Sequence, residues 1–275
     1  MKSFCTCEPL GRMGNLLFSA AAAIAYSIDH DLRFTMPSET PDKTWRPLYL
    51  QHLVDPEFLT IDPSILKRIE IKECGYRYHP LEFQPEWAED HLIVVDGFRQ
   101  SEKYWRHHRE RVLEALGFPW KLRKNWCAVH IRRGDYLIHV DKHPPVEPSW
   151  YFRQMDKIVR DNRATKFLFL SDDLDYCRKE FGFLGNAFFA ATAEAPEWFY
   201  EIMEPKPEVR DLIAGSQCEH VIGSASTFAL WMGILGRNPG RRVIIPKQWI
   251  CEGWSGTTAE TWSDVVPTSE GWERA

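Results

Sequence analysis

From residue 126 onward, short apolar runs alternate with amphipathic segments in a near-regular series. "WCAVHI" (126–131) is a continuous apolar run of strand length, and "PSWYFRQMDKIVRDN" (148–162) spaces its apolar residues like a helix. "KFLFLS" (166–171) is again strand-like and "DLDYCRKEF" (173–181) helix-like, with "NAFFAA" (186–191) a weaker strand. "PEVRDLIAGSQC" (207–218), "EHVIG" (219–223), "TFALWMGILG" (227–236) and "RRVIIP" (241–246) continue the series as helix, strand, helix, strand. A strand that is apolar along its whole length must be covered on both faces. The pattern therefore predicts an α/β fold, a parallel sheet between helical layers, whose ligands bind beyond the carboxyl ends of the strands.

The first half is less regular. "SFCTCEP" reads as a short strand and "LGRMGN" as a glycine-rich turn. A helix is expected from near Asn15, with Leu17, Ala20, Ala21, Ile24 and Ile28 on its apolar positions. "DLRFTMP" (31–37) reads as a second strand stopped by Pro37, whereas 38–90 is proline-rich and polar with no periodic order. "HLIVVDGF" (91–98) is a clear strand, and "SEKYWRHHRERVLEALGF" (101–118) a helix capped by Ser101 with Gly117 near its end. His107 and His108 lie beside charges in that segment, as on a solvated helix face. "GFPWKLRKN" (117–125) interrupts the pattern, so the expected division is an N-terminal lobe, 1–120, and a C-terminal lobe, 121–275.

Composition narrows the function. A net charge of −5 and a pI near 6.1 argue against non-specific nucleic-acid binding, so any anion site must be local. The longest apolar run, "LLFSAAAAIAYSI" (16–28), is short of the roughly 20 residues that a membrane span needs. "MKSFCTCEPLG" reaches Glu8 and Pro9 before any apolar core, unlike a secretory signal. The seven cysteines are scattered without C-x-x-C spacing, so no zinc or other metal is expected, and a reducing cytoplasm is the expected location.

Four polar clusters fall where strands end. "GSASTF" (223–228) is a small-residue turn into a helix, where N–H groups, the helix dipole and the hydroxyls of Ser224, Ser226 and Thr227 favour an anion. Plain N-capping is the alternative. "HIRRGDY" (130–136) sets two arginines at the end of a strand. Neighbouring strand residues point to opposite faces, so Arg132 and Arg133 are expected to serve different partners, one a phosphate and one a structural carboxylate. A surface ion-pair turn is the alternative. An adhesion role for Arg133-Gly134-Asp135 would need an exposed, secreted loop. "SDD" (171–173) suits a metal, a sugar or base, or a helix cap. "GRMGN" (11–15) lacks both the three-glycine dinucleotide fingerprint and the P-loop lysine, but would let a backbone approach a ligand, with Asn15 as donor and acceptor.

Taken in order, these stretches resemble the alpha-1,2-fucosyltransferase family, glycosyltransferase family 11, within the wider group that shares an H-x-R motif. The resemblance rests on Gly11 to Asn15, "GFRQSEKYW" (97–105), "HIRRGDY", "EPSWYF", "FLFLSDD", "DLIAGSQCEHVIGSASTFALWMG" and "VIIPKQW". Leu16 stands where the family has glutamine, Trp231 is single where it has a tryptophan pair, and "PEVRD" replaces an acidic approach to the penultimate helix. The resemblance implies a GT-B-like fold of two Rossmann-like lobes, with the donor GDP-fucose held mainly by the C-terminal one. It implies that Arg132 binds the β-phosphate and stabilises the departing GDP, and that His130 shapes the same pocket. Ser224, Ser226 and Thr227 would hold phosphates or fucose, Phe228 would pack on the donor, and Asp172 and Asp173 would line the nucleoside or sugar pocket. Gly14 and Asn15 would come from the opposite lobe. The implied reaction inverts the fucose centre on transfer to a galactose-containing glycan and needs no cofactor or metal. Asp135 is the candidate base, then His139 and Asp141; alternatively Asp135 pairs with Arg133. A related GDP-sugar transferase and a nucleotide-sugar-binding protein without turnover stay open beside it.

Overall fold

The computed structural model describes residues 1–36, 49–204 and 206–275. They form two compact units, Met1–Phe118 with Thr261–Pro267, and Pro119–Glu260 with Thr268–Ala275. The excursion of 261–267 into the first unit has no counterpart in the division expected at 120.

The first unit contains β1 (Phe4–Cys7), α1 (Met13–Asp29), β2 (Arg33–Phe34), β3 (Lys67–Ile71), β4 (His91–Val95) and α2 (Arg109–Leu116). Its strands are parallel, in the order β2-β1-β4-β3. Alternation along β1 sends Phe4 into a cluster with Leu66, Leu92 and Val94, while the Cys5 thiol faces the Ala23 carbonyl of α1. Both sheet faces are thus covered, which is why β1 is buried at every position. β3 lies in the stretch whose order the sequence does not reveal: it is an edge strand with mostly exposed, charged side chains. The expected stop at Pro37 lies outside the described residues.

The helix expected over 101–118 is broken. Ser101 does cap a turn, accepting from the Lys103 N–H, but Glu102–Tyr104 and Arg106–His108 are separate 3-10 turns, and α2 starts only at Arg109. Burial of Tyr104 and Trp105 explains this: Trp105 is 1% exposed and leaves the helical region at φ −139°, ψ −8°. His107 and His108 consequently do not line a helix face; both meet Asp29 at the end of α1.

The second unit contains β5 (Arg123–Ile131), α3 (Pro148–Asp161), β6 (Lys166–Ser171), α4 (Leu174–Phe181), β7 (Ala187–Phe189), α5 (Glu197–Tyr200), α6 (Pro207–Gln217), β8 (Cys218–Gly223), α7 (Thr227–Leu235), β9 (Val243–Ile245) and β10 (Trp272–Arg274). The parallel sheet runs β10-β9-β8-β5-β6-β7. Counted from β5 as the first strand, that is 6-5-4-1-2-3, the doubly wound order of dinucleotide-binding folds. Cys127, Val129 and Ile131 of β5 pack with Tyr151, Met155 and Ile158 of α3 and Phe181 of α4. The alternate residues face the other way, where α6 and α7 approach each other closely enough that a Cβ on Gly215 would lie 2.5 Å from the Met232 sulfur. β10 was not foreseen, since three residues with two charges show no periodicity. The parallel sheet between helices in the second unit is the one the alternation predicts, and the parallel sheet of the first unit agrees with the two-lobed fold the resemblance implies.

Candidate active site

β5 and β8 are neighbours in the sheet although β6 and β7 intervene in the chain. Here the strand order reverses and the crossover helices leave to opposite faces, the place where sheets of this kind bind ligands beyond their carboxyl ends. His130 is in register with Gly223, and its Nδ1 is 3.0 Å from Ser224 Oγ. The imidazole lies on the α7 side of the sheet, its ring centroid 5.3 Å from that of Phe228. Burial pushes its pKa down to about 4, so the ring is neutral at physiological pH. His130 is therefore an uncharged, buried partner of Ser224 at the end of β5.

Arg132, just beyond β5, is 16% exposed and grips two carboxylates: Asp172 Oδ2 at 2.6 Å and Asp135 Oδ1 at 2.5 Å. Asp172 also accepts the Arg133 backbone N–H at 2.9 Å. It thereby clamps the loop after β5 to the end of β6. Gly134 makes the clamp possible, because a Cβ there would lie 2.5 Å from Asp172 Oδ2. Arg133 turns the other way: its Nε donates to Asp173 Oδ2 at 2.9 Å, and its guanidinium lies 3.5 Å over the Tyr176 ring. Asp173 also caps α4, accepting the Tyr176 N–H at 3.0 Å. That bond, with Arg133 and against slight burial, holds its carboxyl below the usual range. The two arginines thus serve different partners. Asp135, weighed above as the partner of Arg133, is instead held by Arg132.

The turn after β8 meets this loop. Tyr136 Oη donates to the Ala225 carbonyl at 2.7 Å, and its ring stacks on His143 at 3.9 Å. Ser226 caps α7, accepting the Phe228 N–H at 3.3 Å, and Thr227 is the first residue of α7. Capping and an anion-ready helix end coexist here. Tyr136 escaped the residue-by-residue reading. Its signal was its place in the heptapeptide, but its bond to Ala225 depends on the register of two strands.

In the first unit, the turn is made by Gly11 at φ +70°, not by Gly14, which is already the second residue of α1. A Cβ on Gly11 would lie 2.4 Å from Asn15 Nδ2. Asn15 Oδ1 accepts from Gln100 Nε2 at 2.9 Å, which joins the turn after β1 to the loop after β4. Gln100 and Arg99 lie in the segment 97–105 that carries the resemblance, but the sequence assigned no role to either, or to Glu73. Arg99, 1% exposed, donates to the carbonyls of Asp96 and Ile71, while Glu73 accepts the N–H groups of Phe98 and Arg99, each at 2.8 Å.

Of the residues predicted from sequence, His130, Arg132, Asp135, Asp172, Asp173, Ser224, Ser226, Thr227 and Phe228 thus gather at the carboxyl ends of three adjacent strands, β8, β5 and β6. Gly14 and Asn15 sit at the corresponding edge of the first unit, after β1. Two units built on parallel sheets, the second of them doubly wound with Arg132 after β5 and the N-terminus of α7 after the neighbouring β8, are the architecture of GT-B-like transferases. The chain belongs to glycosyl transferase family 11, whose model matches residues 3–254.

Among its relatives, galactoside alpha-(1,2)-fucosyltransferase 1 of Alouatta caraya is 26% identical over 231 residues, covering 82% of this chain and 58% of the relative. The chain thus spans little more than half the length of that relative. Alpha-1,2-colitosyltransferase of Escherichia coli is 22% identical over 271 residues, covering 87% of this chain and 90% of the relative. A crystal structure of POFUT1 in complex with GDP-fucose is similar with a TM-score of 0.52 at 12% identity, covering 89% of this chain and 98% of that one, and supports the fold. Among the described residues, no helix is long and apolar enough to cross a membrane.

Proposed function

We propose that this chain is an inverting glycosyltransferase that moves L-fucose from GDP-fucose to a galactoside hydroxyl, forming an alpha-1,2 linkage. The observation that carries this is the switch point of the second unit, where Arg132 after β5 and the N-terminus of α7 after β8 follow neighbouring strands at their carboxyl ends. A guanidinium fork and a helix N-terminus are complementary to a diphosphate. Both strengthen their hold as GDP gains charge on leaving, which is the electrostatic form of catalysis. Arg132 and the N–H groups of α7 supply the neutralisation that a metal supplies in other transferases, so the reaction proceeds without one and without a cofactor.

An incoming diphosphate competes with Asp135 for Arg132. With that ion pair exchanged for the diphosphate, Asp135 is our candidate to take the proton of the acceptor hydroxyl as it attacks the anomeric carbon from the face opposite GDP. His130 stays neutral and holds Ser224 in place. Asn15, fixed by Gln100, is assigned to the sugar or the acceptor. The colitosyltransferase relative, which matches this chain over almost its full length, favours one second reading: the same chemistry with another GDP-sugar.

The deciding experiment is transfer to a lactose and N-acetyllactosamine panel from GDP-fucose, GDP-colitose, GDP-mannose and UDP-sugars, with and without EDTA, followed by linkage analysis. Alpha-1,2-fucosylated product, at equal rates with EDTA, is expected. Turnover only with a UDP-sugar would overturn the donor assignment. GDP-fucose binding without transfer would make the chain a binding protein, and activity lost in EDTA but restored by Mn²⁺ would make Asp172 and Asp173 metal ligands.

A further inference from the structure

Asp29, His107 and His108 form a cluster outside the candidate active site and within the first unit. Asp29 is the last residue of α1, where the helix dipole already favours a cation. The two histidines arrive from a segment 78 residues further on, in the 3-10 turn that follows the buried Trp105. Consecutive side chains on a regular helix diverge by about 100°. Here they converge: His107 Nε2 lies 3.0 Å from Asp29 Oδ2 and His108 Nε2 lies 2.8 Å from Oδ1. The ring centroids are 4.6 Å apart, and all three donor atoms fall within 4.8 Å of one another.

We propose that Asp29, His107 and His108 bind a borderline divalent transition-metal ion, with Zn²⁺ the reference ion and water completing its shell. In a tetrahedral site with bonds of about 2.0–2.1 Å, neighbouring donor atoms are about 3.3 Å apart. The two Asp–His separations, 3.0 and 2.8 Å, fall a few tenths of an ångström short of that, and the remaining donor separation is within 4.8 Å, so an ion enters by replacing the two hydrogen bonds as the side chains spread slightly. Two imidazoles and one carboxylate select zinc, nickel or copper over magnesium and calcium, which prefer all-oxygen sites. Each imidazole must offer its Nε2 lone pair, so its remaining proton sits on Nδ1. The side chains are 37%, 46% and 24% exposed in the order Asp29, His107, His108, so water can reach the remaining positions. The ion would staple the end of α1 to the turn that leads into α2, and its role is structural: no ligand of this cluster is among the candidate catalytic residues.

The test is isothermal titration of the full chain with Zn²⁺, with Co²⁺ absorption to identify the ligand type. One equivalent bound, a raised Tm, and a Co²⁺ spectrum without thiolate charge-transfer bands are expected. Loss of a partner that merely orients a ligand weakens metal affinity about 10–100-fold. His107→Ala, His108→Ala or Asp29→Asn should each weaken it at least that much and abolish the Tm shift. If a variant fails to fold, the Co²⁺ spectrum and paramagnetic shifts of histidine resonances in the unaltered chain decide instead. Undiminished binding by the folded His107→Ala/His108→Ala double variant, thiolate bands from Cys74 or Cys251, or no binding at all would each overturn the proposal.

Discussion

Arg132 reaches Asp135 and Asp172 through two different guanidinium nitrogens, and Asp172 in turn holds the backbone of Arg133. Asp172 is therefore a positioning residue for Arg132, and the two should act as a unit. Arg132→Ala is expected to lower kcat by about 100-fold or more, the scale of losing one preorganised charge-stabilising donor. Asp172→Asn should lower kcat by about ten-fold, and the double variant should be little worse than Arg132→Ala alone. Steady-state kinetics on all three variants, with circular dichroism to check folding, would show this; multiplicative losses would mean that Asp172 acts independently. The sequence made Arg132 and Arg133 conspicuous and led to the expectation of different partners, which they have. It did not reveal which carboxylate each would take. Asp135, Asp172 and Asp173 were all available, and the choice depends on where β6 ends beside β5.

Helices and strands were legible where burial imposes a period. β5, β6, α3 and α4 match their apolar patterns closely, because each carries a face that must be covered. β3 and β10 were not legible, because edge strands with exposed, charged residues carry no such pattern. The helix expected over 101–118 failed for the opposite reason: two large aromatic side chains reach the interior only if the backbone leaves the helix between them. The junction of β5 with its following loop gives a test at this scale. Gly134 is exposed, yet a Cβ there would strike Asp172. Gly134→Ala is expected to cut transfer strongly while shifting the Tm little, since it disturbs a surface clamp and no core contact. Kinetics beside a thermal melt would check this, and an unaltered kcat would show that the clamp is not required.

Across the molecule, each unit is a parallel sheet with residues of interest at its carboxyl edge. Acid stability should report on the second unit. His130 is 5% exposed, and burial lowers its pKa from 6.5 to about 4; burial likewise lowers His143 to about 4. The unfolded chain then binds protons that the folded one refuses, so stability falls as pH drops from about 6.5 to about 4. The loss from His130 is on the order of 3 kcal/mol. Urea unfolding across that window should be less steep in pH for His130→Asn than for the unaltered chain, and equal slopes would refute the burial effect. The apolar alternation alone dictated the parallel sheet between helices of the second unit, and the ordered polar motifs placed the candidate residues at strand ends. Both are local, since periodicity and turn chemistry are written in neighbouring residues. The pairing of Arg132 with Asp135 and Asp172, the bond from Tyr136 to Ala225, the support of Asn15 by Gln100 and the meeting of Asp29 with His107 and His108 were decided only by the tertiary structure. All but the first half of that Arg132 pairing join groups far apart in the chain, and their distances depend on strand order and register, which no local pattern encodes.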